Sequence, residues 1–400
     1  MAMHAYKSAP ATKPTDADVA DDMSPFLRRY KDGRIERLMV SSFVPPSEAP
    51  GATGVATRDV VIDPVTGVSV RLFLSLGAVA TDKRLPLIVY FHGGGFCTGS
   101  AFSNVFHRYA TSLSACAGAL VVSVEYRLAP EHPIPAAYDD AWAALRWVAS
   151  MADPWLADHA DHRRMFLAGE SAGGNIVHNM ALRCATREGD EIDLDVEGII
   201  LLHPYFWGSE RLPSETDRHD GPMLAPEFVD TLWPFLTAGA AGNDDPRINP
   251  PADQVKSLPC RRALVAVAAK DVFRDRGRRY ASWLRHGERC GEVTLVESEG
   301  EDHVFHLHRL VRASAVALMD RVVRFVDGWA APAAGAKETE LLRQCRTTHL
   351  DEWQDNMAGN AKLASASIGL ELGRASSAKL VQKGPFARAA RERTVAKSCL

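Results

Sequence analysis

Gly169-Glu-Ser-Ala-Gly173 sets one serine among small residues. A short apolar run, Met165–Ala168, precedes it, and a helical pattern over 172–187 follows. A serine on so sharp a strand-to-helix turn has a strained backbone and needs small neighbours on either side. Its hydroxyl then projects above the sheet edge, beside the positive end of the helix. That arrangement makes Ser171 a candidate nucleophile for acyl transfer. A second glycine-rich stretch, His92-Gly-Gly-Gly-Phe96, directly follows the run Leu87–Phe91. Consecutive glycines let backbone N–H groups approach a ligand oxygen without a Cβ in the way. Gly94 and Gly95, with the N–H of Ala172, are the expected donors to a tetrahedral oxyanion; Gly93 belongs to the same hole and mainly shapes its turn. No Gly-Lys-Ser/Thr follows the loop, and the G-x-G-x-x-G spacing is absent, which argues against a phosphate cradle.

A serine of this kind needs a base and a carboxylate to orient the base. His303 lies in Gly300-Glu-Asp-His-Val-Phe305, after the apolar run Val293–Val296. Asp271 comes just after the run Ala263–Ala268. Asp275 competes with it but lies further from the strand end, where it reads as a helix cap. His306 and His308 complete an H-x-x-H-x-H, but that spacing does not put all three on one face of a helix or strand. No metal and no organic cofactor are expected. Glu301 and Asp302 read as solvated. Phe206, Trp207 and Trp233 are the candidate lining of a substrate pocket, joined by Phe26, Tyr30 and Phe235, although such aromatics more often serve the core. Cys97 reads as a small buried thiol.

Other elements must position these residues. Short continuous apolar runs at 87–91, 120–124, 165–168, 198–202, 263–268 and 293–296 alternate with helical patterns at 104–117, 136–151, 172–187, 226–238, 276–289 and 309–328. Strands buried on both faces by covering helices read this way. The fold class is therefore α/β: a mostly parallel sheet whose antiparallel N-terminal edge is the hairpin 58–62 and 68–74. The stretch 205–251 interrupts the alternation after a strand end, where an insertion sits over the ligand crevice. Residues 23–45 and 205–245 are expected to form a helical cap. The boundaries drawn are a flexible N-terminus over 1–22, one domain over 23–330 and a disordered tail over 331–400.

Composition narrows the class. The chain has 400 residues, 46% hydrophobic and 24% charged, with a formal net charge of −4. Bulk charge does not attract nucleic acid. No apolar run is long enough to span a bilayer. Seven scattered cysteines without a C-x-x-C read as reduced thiols, which fits a cytoplasmic protein.

The two glycine motifs, with Tyr126-Arg-Leu-Ala-Pro-Glu131 between them, resemble the hormone-sensitive-lipase-like group of α/β-hydrolases. Four further stretches narrow the resemblance to plant carboxylesterases: Pro25-Phe-Leu-Arg-Arg-Tyr-Lys-Asp-Gly-Arg-Ile-Glu-Arg-Leu38, His203-Pro-Tyr-Phe-Trp-Gly208, Asp271-Val-Phe-Arg-Asp275 and Gly300-Glu-Asp-His-Val-Phe-His-Leu307. The resemblance runs from about Ser24 to Trp329. It implies Ser171, Asp271 and His303 as nucleophile, acid and base, with the His-Gly-Gly-Gly loop as oxyanion hole. The same group contains gibberellin receptors, which keep the serine but lack the histidine, and 2-hydroxyisoflavanone dehydratases, where threonine tends to replace the serine. His303 and Ser171 favour an esterase over both. Tuliposide-converting enzymes run the same acyl chemistry by internal transesterification. The expectation is a serine carboxylesterase of small, short-acyl esters. A small-molecule ester is the expected partner, with no nucleic acid, no membrane and no protein partner unless the chain is a receptor. The cytoplasm is the expected compartment, with the nucleus as the alternative.

Overall fold

The computed structural model describes residues 18–186, 194–216, 223–308 and 310–328. The expected tail over 331–400 and residues 1–17 of the expected flexible N-terminus lie outside the described residues. Eleven strands are present among those described. The first three form a small antiparallel sheet: β1 (Val19–Met23), β2 (Leu27–Tyr30) and β3 (Ile35–Arg37). Pairing starts at Val19, inside the stretch expected to be flexible to residue 22, because Asp21 and Asp22 lie opposite Arg29 and Arg28. Both aspartates form ion pairs with those arginines.

The remaining strands build one sheet: β4 (Val55–Val61), β5 (Ser69–Ser75), β6 (Leu85–Phe91), β7 (Leu120–Glu125), β8 (Ala160–Glu170), β9 (Val196–Leu202), β10 (Cys260–Ala268) and β11 (Cys290–Ser298). Their spatial order is β11-β10-β9-β8-β6-β7-β5-β4. Strands β6 to β11 pair in parallel, and β4 and β5 are the antiparallel edge. Strands β8, β10 and β11 begin earlier than their apolar runs. Ladder pairing there outlasts helix cover, so Arg163 of β8 and Arg261 of β10 stay exposed.

Side-chain alternation divides the core between the two faces. Leu87, Val89 and Phe91 of β6 enter one cluster with Ile176, Leu201 and Leu284. Ile88 and Tyr90 enter the other with Leu113, Ile200 and Leu318. Helices Ala136–Ala149, Ala172–Thr186 and Arg274–Arg285 supply the first cluster, and Asn104–Ala117 and Ala313–Asp327 the second. Period-2 strands covered on both faces have this division.

The insertion after β9 is held by a buried ion pair. The Arg276 guanidinium bonds the Glu215 carboxylate, with side chains 2% and 0% exposed. It also donates to the carbonyls of Gly208 and Glu210 and lies over the Trp207 ring. Removing one partner of such a pair leaves an uncompensated buried charge, which typically costs about 3–5 kcal/mol. Arg276→Ala is therefore expected to lose about 3 kcal/mol or more in urea unfolding. A loss below about 1 kcal/mol would mean that other contacts hold the insertion.

Candidate active site

The site gathers at the C-terminal ends of the parallel strands. Ser171 follows β8 directly and takes φ +53°, in the left-handed region. Three backbone bonds pin the turn: Ser171 N–H donates to Leu202 O at 2.9 Å, and Ser171 O accepts from Asn175 N–H at 3.1 Å and Tyr205 N–H at 2.9 Å. Glycine is required two residues further on, because a Cβ on Gly173 would stand 1.9 Å from Phe91 O.

The Ser171 hydroxyl donates to His303 Nε2 at 2.9 Å. His303 Nδ1–H donates to Asp271 Oδ2 at 2.7 Å, which leaves Nε2 as the acceptor. Exposures of 7%, 5% and 1% for Ser171, His303 and Asp271 keep water away from both bonds. Asp271 Oδ1 accepts the Phe273 N–H at 3.0 Å. Burial pushes the Asp271 carboxyl up, but the facing His303, with help from the Phe273 N–H, outweighs burial and holds it below the ordinary carboxylate value. Asp275 turns away: it pairs with Arg274 and Arg278 and accepts the Ser214 N–H.

The glycine loop divides its donors. Gly93 N–H is committed to the Glu170 carboxylate, in keeping with a residue that mainly shapes the turn. Gly94, Gly95 and Ala172 N–H show no protein acceptor among the described residues. Gly94 takes φ +109°, and a Cβ there would stand 2.1 Å from Thr98 O.

Three residues in the quoted motifs matter although their types gave no sign of it. Glu170 is fully buried, accepts the Tyr90 hydroxyl at 2.5 Å and bonds Gly93, so it ties the serine turn to the glycine loop. Burial raises its carboxyl to about 7. His203 accepts the Val304 N–H on Nδ1 at 3.0 Å and so anchors the backbone just after His303. Burial drops His203 to about 3, so it stays neutral. Phe273 packs edge-on against His303, with centroids 5.1 Å apart.

One expectation about the histidine loop is corrected. Glu301 is not solvated: it is buried, with Arg312 and Ser314 on its carboxylate. Asp302 accepts the N–H groups of His303 and Met223 and thereby fixes the loop. Phe206 stacks on Tyr280 at 4.8 Å and lies edge-on to His178. Trp207 stands one residue removed, against Phe273. Trp233 packs on Phe96 and Tyr205. Burial pushes the Cys97 thiol up to about 12, as a small buried thiol should behave. His306 is buried against Tyr109 and His203. The ligand atoms of His203, Asp271 and His303 lie within 4.8 Å of one another. Two of these residues are hydrogen-bonded to each other, which is the pairing of a relay rather than a ligand set converging on an ion.

A buried serine, a histidine oriented by a carboxylate and free N–H groups beside them can attack, protonate and stabilise at one carbonyl. Residues 88–307 match the family described as alpha/beta hydrolase fold. The chain belongs to the α/β-hydrolase family. Within the family it is similar to tuliposide A-converting enzyme 1, chloroplastic, of Tulipa gesneriana, 42% identical over 332 residues, covering 80% of this chain and 82% of that one. It is similar to 2-hydroxyisoflavanone dehydratase of Glycyrrhiza echinata, 40% identical, covering 78% and 97%. Among solved structures, a thermostable esterase from Pseudomonas putida aligns with a TM-score of 0.60 at 26% identity, covering 70% of this chain and 85% of that one. This α/β-hydrolase is a carboxylic ester hydrolase of the plant carboxylesterase group.

The buried Glu170 gives the α/β-hydrolase a pH-dependent stability. Its folded pKa, about 7, lies above the ordinary value of 4.5, so folding favours the protonated form. The stabilisation is complete below about 4.5 and is lost as pH rises through about 7. Between pH 5 and 8 the wild type should lose stability, on the order of 2 kcal/mol, that Glu170→Gln does not lose. Urea midpoints of both proteins at the two pH values measure it. Parallel pH trends in the two would remove Glu170 as the source.

Proposed function

We propose that this enzyme is a serine carboxylesterase of small, uncharged, short-acyl esters, working through an acyl-enzyme at Ser171. The unbroken hydrogen-bond chain from Ser171 through His303 to Asp271 carries the reading. His303 Nε2 takes the hydroxyl proton as Ser171 Oγ attacks the ester carbonyl. Asp271 holds the histidine tautomer and stabilises the imidazolium. Gly94, Gly95 and Ala172 N–H receive the oxyanion. The imidazolium returns its proton to the departing alkoxide, and the acyl group stays on Ser171. Water, deprotonated by His303, then releases the acid.

The expected cap supports small substrates. Phe26, in the turn between β1 and β2, lies against Gly95, where a Cβ would stand 2.9 Å from its ring. Phe228 of helix Pro226–Leu236 packs on Phe26 at 5.6 Å. Two aromatics from distant chain segments thus roof the oxyanion loop, and Phe273 walls the histidine. Among the described residues no helix is long and apolar enough to cross a membrane. The cytoplasm stays the proposed compartment; the tulip relative is chloroplastic by name, and a fluorescent fusion of the full chain distinguishes the two. No protein partner is needed for the chemistry.

Triad replacements test the roles. Ser171→Ala is expected to lose on the order of 10⁴-fold or more in kcat, and His303→Ala about as much, because the two act as a unit. Asp271→Asn should lose on the order of 10⁴-fold and Asp275→Asn far less. Equal losses at His303 and His306, or at Asp271 and Asp275, would overturn the assignment.

Substrate size is tested with p-nitrophenyl esters from two to sixteen carbons. Each accommodated methylene gains only about 1 kcal/mol, less than a steric stop costs. kcat/KM should peak at acetate to butyrate and fall steeply beyond. A maximum at long chains, or a jump in rate above the critical micelle concentration, would indicate a lipase instead.

A further inference from the structure

Cys260 and Cys290 stand opposite each other in the register of β10 and β11. Their Sγ atoms are 3.0 Å apart. Both are free thiols. The backbones approach closely at this point: a Cβ on Gly291 would stand 2.3 Å from Arg261 O. A disulfide needs Cα atoms about 4.4–6.8 Å apart and an S–S bond of about 2.0 Å, so neighbouring in-register residues close it by side-chain rotation alone. Cys260 is buried, whereas Cys290 is half-buried on the sheet's outermost strand.

We propose that Cys260 and Cys290 form a reversible disulfide latch, made by exchange with a small-molecule disulfide such as oxidised glutathione, that ties edge strand β11 to β10. The step balances without another reactant. Cys290 thiolate attacks one sulfur of the small disulfide and expels a first small thiolate. Cys260, losing its proton to solvent or to that thiolate, attacks the Cys290 sulfur and expels the second. One protein S–S bond forms, and one small disulfide becomes two thiols. Cys290 is the entry point by exposure. The hydrogen bond from Cys260 S–H also holds the Cys290 thiol below its ordinary value.

The latch lies at the strand ends away from the catalytic groups. Asp271 follows the far end of β10, and His303 follows the far end of β11. A bond at residues 260 and 290 therefore fastens the two strands that carry the acid and the base without touching either. An edge strand has ladder bonds on one side only, which makes β11 the strand that frays most easily. The closed loop spans 30 positions and contains Asp271 and helix Arg274–Arg285. Cross-linking it restricts the unfolded chain.

The purified full chain is incubated with oxidised glutathione or with dithiothreitol, then mapped by peptide mass spectrometry and thermal unfolding. A Cys260–Cys290 peptide is expected only after oxidation, with Tm higher by roughly 5 °C and kcat at 25 °C unchanged. Cys260→Ser should retain one glutathione, stranded on Cys290, and Cys290→Ser none at this site. Both thiols still open to alkylation after oxidation would overturn the proposal. So would Cys260→Ser without an adduct at Cys290, or a disulfide that leaves Tm where it was.

Discussion

The molecule depends on one close approach: the first turn of helix Ala172–Thr186 against the end of β6. Gly173 lies so near Phe91 O that no side chain fits. That contact sets the height of Ser171 above the sheet, and the glycine loop begins at the next residue of the same strand. The serine turn and the glycine loop are thus two consequences of one packing distance. The Glu170 carboxylate then bonds Gly93, which joins the two chain segments a second time. The His203, Asp271 and His303 loops add to a platform already fixed, each leaving the sheet at the next parallel strand.

Local pattern carried much of this. The serine turn, the glycine loop and the apolar runs are contiguous signals, and each described strand of the main sheet falls on its run. The histidine and Asp271 were legible because strand order fixes which loops meet. What escaped depends on contacts across tens of residues. Glu170 sits inside the most conspicuous motif, but its partners Tyr90 and Gly93 come from another strand. Phe206 and Phe273 are the same residue type near strand ends, yet one packs on Tyr280 and the other on His303. Glu301 looked solvated because its partners Arg312 and Ser314 lie beyond the helical turn at 305–308. The strand at Val19 was hidden by polar residues whose pairing is ionic rather than apolar.

The electrostatics of the site follow from dryness. Around Ser171 the titratable neighbours are driven towards neutrality, His203 downwards and Glu170 upwards. Asp271 is held below the ordinary carboxylate value against the same burial, because a histidine and a backbone N–H face it. Its Oδ2 faces the one ring nitrogen that donates to it, His303 Nδ1, in a low-dielectric site where that interaction is strong.

The meeting of Phe26 and Phe228 over Gly95 has a consequence for how such an enzyme diversifies. The roof comes from two peripheral stretches more than two hundred positions apart in sequence, and neither belongs to the parallel sheet. Changes in either stretch alter the space over Gly95 while the hydrogen-bonded Ser171, His303 and Asp271 beneath stay intact. Each half also constrains the other, since a ring lost from one side leaves a gap that a bulkier residue on the opposite side can fill. Substrate range in this architecture can therefore drift by paired, compensating exchanges at the periphery, at a pace uncoupled from the slow-changing chemistry of the core.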